Sequence, residues 1–109
     1  MISISRDKGL VTVINVFTCE PAEQEQLINT WREAAKELGE LPGVLSAALH
    51  RSLDGTRVVN YAQLRSAEDW ETLRKVGQMR AHFDRTTKFG KLDAHLYEVV
   101  YTVEHSAAG

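Results

Sequence analysis

The chain has 109 residues, a formal net charge of −2 and 43% hydrophobic residues, values typical of one small globular domain. Its 13 basic and 15 acidic residues are intermingled, which argues against nucleic-acid binding. A solitary cysteine, Cys19, excludes an internal disulfide, and no stretch approaches the ~20 apolar residues that span a bilayer or the length of a secretory signal. We therefore expect a single domain over residues 1–109, with its core at about 10–103, a cytoplasmic location, and neither nucleic acid nor membrane as a partner.

The first half of the chain predicts a strand, a helix and a hairpin. Residues 10–17 are β-branched and nearly continuously apolar, which is typical of a strand. Pro21 suits the first turn of a helix, and apolar residues at helical spacing predict that this helix runs from about residue 21 to residue 38. After the Pro42-Gly43 turn, residues 44–51 and 56–64 are extended segments on either side of Asp54-Gly55, and they predict a hairpin.

The second half predicts two helical pieces and a last strand. Ser66 with Asp69 three positions later resembles a capping box and begins a second helix. Gly77 is expected to break or bend this helix, and residues 79–83 predict one more helical piece before a loop at residues 88–91. Residues 95–103 are expected to close the chain as a strand, which would carry on one face Tyr97, Val99, Tyr101 and Val103.

The predicted order of elements, β-α-β-β-α-β, is that of the ferredoxin-like α+β fold with a four-stranded antiparallel sheet. Both helices should cover the same face of the sheet, because each strand–helix–strand crossover is right-handed. The other face would stay bare and carry apolar residues. We therefore expect a homodimer that pairs through this open sheet face and forms a dimeric α/β barrel.

Four segments carry a more specific pattern. They are Val-Ile-Asn-Val-Phe at 13–17, Leu-Pro-Gly-Val at 41–44, Asp-Gly-Thr-Arg-Val-Val-Asn-Tyr-Ala-Gln at 54–63 and His-Leu-Tyr-Glu-Val-Val at 95–100. Read in order, over about residues 10–103, they resemble the antibiotic biosynthesis monooxygenase family. The resemblance implies a pocket between sheet and helices, a hydrophobic small-molecule substrate such as an anthrone, and molecular oxygen as co-substrate. It implies no metal, flavin or haem.

The resemblance also implies the residues of the site. Asn15, Asn60 and Trp70 match pocket positions of the family and are the candidate catalytic residues. Leu64 stands where the family commonly has tryptophan, and leucine cannot donate a hydrogen bond. The candidate substrate-binding residues are Tyr61, Leu64, Leu73, His82 and Phe83.

The residues by themselves leave structural alternatives open. Asn15 interrupts an apolar strand, where a purely structural hydrogen bond would explain it as well. Asn60 and Tyr61 point to opposite faces of their strand, so we favour Asn60 for the pocket and leave Tyr61 between the pocket and the dimer interface. Trp70 shares a helical stripe with Ala67 and Leu73, a spacing typical of core packing.

The working hypothesis is a cofactor-independent monooxygenase that oxidises a polycyclic aromatic or similar hydrophobic metabolite. One alternative is haem binding or degradation, because His82 resembles in position the axial ligand of haem-degrading relatives; these relatives carry a tryptophan where this chain has Leu73. Another is a non-catalytic dimeric ligand-binding module, which Leu64 favours. The histidines show no spacing that would gather them around a metal ion, so no metal site is expected.

Overall fold

The computed structural model describes residues 9–105, which form one antiparallel sheet and three helices. The strands are β1 (Val11–Thr18), β2 (Val44–Arg51), β3 (Arg57–Leu64) and β4 (Lys91–Tyr97), and the helices are α1 (Gln24–Gly39), α2 (Ala67–Leu73) and α3 (Gly77–Thr86). The sheet order is β2-β3-β1-β4, and every neighbouring pair is antiparallel. This topology confirms the ferredoxin-like α+β fold. None of the described helices is long and apolar enough to cross a bilayer.

β1 lies at the centre of the sheet and pairs with β3 on one side and β4 on the other. Because side chains alternate along a strand, its odd-numbered residues Val13, Asn15 and Phe17 turn toward the helices. All three are buried. The register places Asn15 directly opposite Asn60 of β3. The two asparagines are therefore neighbours on the face that the helices cover.

The first helix is anchored to the β2–β3 hairpin. A single 3-10 turn, Pro21–Glu23, leads into α1, and the side-chain amide of Gln24 then donates hydrogen bonds to the carbonyl oxygens of Ser52 (3.1 Å) and Arg57 (3.0 Å). Further along the helix, Leu27 packs with Phe17 in a core cluster. These contacts hold α1 over the central strands.

α2 and α3 complete the helical layer. The sequence predicted a break or bend at Gly77, whereas the interruption lies at residues 74–76 and Gly77 is the first residue of α3. The Ser66 hydroxyl accepts a hydrogen bond from the Asp69 backbone N–H (3.1 Å), which caps the first turn of α2. Leu73 of α2 packs against the sheet with Val13. α3 begins at Gly77, and its Met79 packs instead against α1. The three helices therefore lie on the same face of the sheet.

The last strand differs from its predicted position. The sequence predicted a strand at residues 95–103, whereas β4 spans Lys91–Tyr97 and residues 98–105 follow without regular structure. The ladder with β1 runs from Thr18↔Lys91 to Thr12↔Tyr97, so β4 reaches the end of β1 at Tyr97. Beyond that point the described chain offers no further strand for pairing. Apolar side chains there are left largely exposed, among them Val100, Tyr101 and Val103.

The opposite face of the sheet has no helix over it within the described residues. By the two-residue period it carries Ile14, Val16, Val59 and Tyr61, all of them partly exposed. Ile14 pairs in register with Tyr61, and Val16 with Val59. The centre of this face is thus an apolar surface.

Gly43 should be sensitive to substitution, because its backbone has a φ of +93° and an added Cβ would lie 2.7 Å from Cβ of Asp69. In Gly43→Ala, the alanine backbone would be strained at this positive φ, and its Cβ would push the start of α2 away. We therefore expect the free energy of unfolding to fall by about 2 kcal/mol or more. Gly77→Ala is the matched control, since nothing lies within 4 Å of its added Cβ. Urea unfolding should show a lower midpoint for the first variant alone, and equal midpoints would contradict the prediction.

Candidate active site

A cavity lies between the helical layer and the sheet. Strands β1, β2 and β3 form its floor and all three helices contribute to its roof, whereas β4 contributes none of the described lining residues. The space between its walls is about 580 Å³, a volume that includes its open mouth. The free volume inside the cavity is about 70 Å³, which is smaller than a typical small-molecule site.

Two amides form the polar part of the floor. Asn15 is 4% exposed and Asn60 is 7% exposed, and the two residues face each other across β1 and β3. The side-chain oxygen of each is enclosed and has no hydrogen-bond partner. An enclosed polar atom without a partner costs roughly 1–3 kcal/mol. No described protein group therefore uses the hydrogen-bonding capacity of these two amide oxygens.

The rest of the wall is apolar and rich in aromatic rings. Trp31 of α1, Trp70 of α2 and Phe83 of α3 line the cavity from the helical side, and Leu64 and Leu73 add aliphatic surface. None of the described lining residues carries a formal charge at neutral pH. A flat, apolar guest suits such walls, because large aromatic faces bury well against one another.

His82 joins this cavity from α3 and is only 2% exposed. Its ring lies edge-to-face against Trp31, with centroids 5.8 Å apart, and 5.9 Å from the ring of Phe83. Burial lowers the pKa of His82 to about 4, with a further contribution from the positive charge of Arg85. Its Nδ1 atom is enclosed and has no hydrogen-bond partner. At neutral pH the imidazole is therefore uncharged and can accept a proton.

The structure brings together every predicted site residue except Tyr61. The cavity is lined by Asn15, Asn60, Leu64, Trp70, Leu73, His82 and Phe83. Tyr61 follows Asn60 on β3 and so points to the other face of the sheet, where it pairs with Ile14. It does not line the cavity of its own chain.

Trp31 is the residue that sequence reasoning missed as part of the site. In the sequence it is one of the apolar residues at helical spacing that predict the first helix. Trp31 packs against the buried core cluster of Phe17, Leu27, Ile28 and Val58, and it also lines the cavity beside Asn15 and Asn60. Its position in the middle of a stripe above the central strand was the available signal. Within residues 9–105, no three His, Cys, Asp or Glu side chains gather closely enough to hold a metal ion.

Known proteins share this fold and much of this sequence. A family model described as antibiotic biosynthesis monooxygenase matches residues 10–85. Tetracenomycin-F1 monooxygenase of Streptomyces glaucescens is 38% identical over 85 residues, which cover 77% of this chain and 76% of that protein.

Solved structures agree with this match. A monooxygenase from the gene ActVA-Orf6 of Streptomyces coelicolor, in complex with nanaomycin D, is 30% identical, with a TM-score of 0.74 and coverage of 90% of this chain and 93% of that one. SnoaB, a cofactor-independent oxygenase from Streptomyces nogalater, is 21% identical and has a TM-score of 0.75, covering 89% of this chain and 99% of its own. The second likeness, at this identity, concerns the fold alone.

His82 should make the stability of the fold depend on pH. Its pKa is about 4 in the folded chain against an ordinary value of 6.5, so between these values the unfolded chain binds more protons. The free energy of unfolding should therefore fall as pH decreases from 6.5 to 4 through this group. His82→Gln removes this titration. As the pH is lowered from 6.5 to 4, the urea midpoint of the variant should therefore fall less than that of the wild type.

The matched control is His105→Gln, because His105 is exposed and lies outside the cavity. We expect this variant to follow the pH dependence of the wild type. Parallel midpoint curves for the wild type and His82→Gln would show that the buried imidazole is not the group responsible.

Proposed function

The chain belongs to the antibiotic biosynthesis monooxygenase family, and from this premise we propose that it oxidises a polycyclic aromatic metabolite of the anthrone or polyketide type with molecular oxygen. The observation that carries the proposal is the pair of enclosed, unpartnered amide oxygens of Asn15 and Asn60 in a cavity with aromatic walls. A flat guest with hydroxyl groups would bury its rings against the walls and donate hydrogen bonds to these oxygens. Two findings on the relatives support this substrate class: one is named tetracenomycin-F1 monooxygenase, and another was solved with nanaomycin D as its ligand.

The reaction we propose needs no metal, flavin or haem. A phenolic substrate that loses a proton becomes an electron-rich anion, which can pass an electron to oxygen by itself. The protein then has three tasks, which are to bind the substrate, to help remove the proton and to hold the anion beside oxygen. A cavity with apolar walls also keeps water away from the reactive intermediate.

Leu64 favours a second candidate function, a non-catalytic ligand-binding module. This residue lines the cavity at the position where the family commonly has tryptophan, and it supplies apolar surface without a hydrogen-bond donor. Binding of a flat guest would survive this change, because Trp31, Trp70 and Phe83 still line the cavity. Oxidation would survive only if the other polar residues of the cavity can orient the substrate without a donor at this position.

We also propose that two copies pair through the open sheet face. The support is the apolar centre of that face, made by Ile14, Val16, Val59 and Tyr61. In a chain this small, burying such a face adds apolar contact area that a single core cannot provide. In the dimer, the exposed apolar side chains that follow β4 could also pack against the partner.

Oxygen uptake tests the enzymatic proposal. Purified, metal-free protein given an anthrone should consume oxygen above the buffer rate, with one O₂ taken up for each quinone formed. Asn15→Ala and Asn60→Ala should each lower kcat/KM by about tenfold or more, because each removes a hydrogen bond worth ~1–3 kcal/mol in a buried site. The matched control is Asn29→Ala, an exposed asparagine of α1, which should retain the wild-type rate.

A wild type that consumes no oxygen above buffer would contradict the enzymatic proposal. Leu64→Trp then discriminates between the remaining possibilities. A gain of oxidation in this variant would show that the absent indole is the cause, whereas continued inertness together with anthrone binding would favour the binding module.

Sedimentation velocity tests the pairing. The wild type should sediment as a dimer, and Ile14→Lys should shift it toward the monomer, because the substitution places a charge at the centre of the apolar face. Glu33→Lys on the exposed side of α1 is the control and should leave the dimer intact. A monomeric wild type at micromolar concentration, or a dimeric Ile14→Lys, would contradict the proposed interface.

A further inference from the structure

Of the side chains described around the cavity, one ionises within the ordinary pH range of proteins, the imidazole of His82. Its described lining consists of aliphatic residues, glycine, aromatic rings, the two asparagines and His82, and it includes no Asp, Glu, Lys, Arg, Cys or Tyr. An asparagine amide neither gains nor loses a proton in this range, and an indole only donates a hydrogen bond. A proton that leaves a substrate here for a protein group can therefore go only to the imidazole.

We propose that His82 is the catalytic base, the group that takes the proton from the substrate and later returns it to reduced oxygen. This inference rests on the proposed function and names the group that performs its first step. It goes beyond the substrate-binding role expected from the sequence, because the ring takes up and releases a proton during the reaction.

Packing, rather than a hydrogen bond, holds the ring in place. The ring of Trp31 on α1 lies edge-to-face against it with centroids 5.8 Å apart, and the ring of Phe83 lies tilted to it with centroids 5.9 Å apart. The backbone of the same turn is fixed by the Thr86 hydroxyl, which donates to the His82 carbonyl oxygen (2.9 Å). Since no protein group bonds to the enclosed Nδ1, the ring keeps an accepting nitrogen that no protein donor occupies.

The surroundings keep the imidazole neutral before the reaction. Arg85, three residues along the same helix, is the charged group that opposes protonation. α1 brings Trp31 against the ring, and the sheet brings Asn15 and Asn60 to the same cavity, and none of these titrates. No carboxylate of the described lining offsets Arg85. With its pKa lowered to about 4, His82 is a weak base, so it suits a substrate whose anion is strongly delocalised.

The proton and electron balance closes with oxygen as the only co-reactant. The imidazole takes a proton from the CH₂ group of the anthrone, and the resulting carbanion passes one electron to O₂. The carbon radical and superoxide combine into a C–O bond, and the imidazolium gives its proton to the peroxide. Loss of the second C–H proton to the imidazole breaks the O–O bond and leaves a carbonyl, while hydroxide leaves and takes that proton to become water. The sum is anthrone plus O₂ to quinone plus H₂O.

The test is the pH dependence of anthrone oxidation in His82→Gln, which keeps a polar side chain of similar size but cannot act as a base. We expect kcat to fall by about a hundredfold or more while KM changes little, because general-base catalysis contributes about 10²–10⁴-fold. Between pH 6 and 8 the wild-type rate should stay flat, since the imidazole is already neutral, whereas the rate of the variant should rise with hydroxide by about tenfold per pH unit. His105→Gln, at an exposed histidine, should behave as the wild type.

A second variant separates loss of the base from loss of the fold. In His82→Ala, added imidazole can enter the space left by the ring, and we expect it to restore oxidation in proportion to its concentration. If His82→Gln shows wild-type kinetics with a flat pH profile, the assignment is overturned and the proposed function stands. The same holds if His82→Ala is slow and added imidazole does not restore its rate. A wild type unable to oxidise anthrone would overturn the proposed function itself.

Discussion

The central strands hold two side-chain amides next to each other without giving either oxygen a partner, and the character of the cavity depends on this arrangement. Two residues along the same ladder, Phe17 faces Val58, and both are fully buried. That apolar pair closes the floor of the cavity on one side. The strand register fixes the two unsatisfied oxygens in place, and the packing of the core beside them must offset their cost, which burial increases.

The two layers of the fold supply different parts of the site. The sheet contributes the amides, whose places are fixed by backbone pairing, whereas the helices contribute the imidazole and the indoles, whose places depend on side-chain packing. Trp31 and His82 meet because α1 and α3 pack against each other, and α1 is itself fixed by Gln24 at the hairpin. A change at the hairpin can therefore reach the imidazole through α1 without altering the strands.

Local patterns predicted most of this architecture, and their failures have physical causes. The β-branched run of β1 and the Ser66 cap each express a preference that neighbouring residues determine, and both appear in the structure; the predicted interruption of the second helix appears just before Gly77. The shared face of Asn15 and Asn60 followed from strand periodicity once the strands were placed. The end of β4 depends on where its partner β1 ends, and the role of Trp31 depends on what lies beneath it, so neither could be read from nearby residues alone.

The absence of charge from the described lining restricts what the cavity can accept. A localised anion, such as a carboxylate or phosphate, would lose its hydration there without gaining a cation, which is strongly unfavourable. An anion spread over several fused rings loses much less, because its charge is dispersed over many atoms. With Leu64 in place of an indole, the strands add no further donor. The reactivity must then lie mainly in the guest, and the protein selects guests whose negative charge is already dispersed.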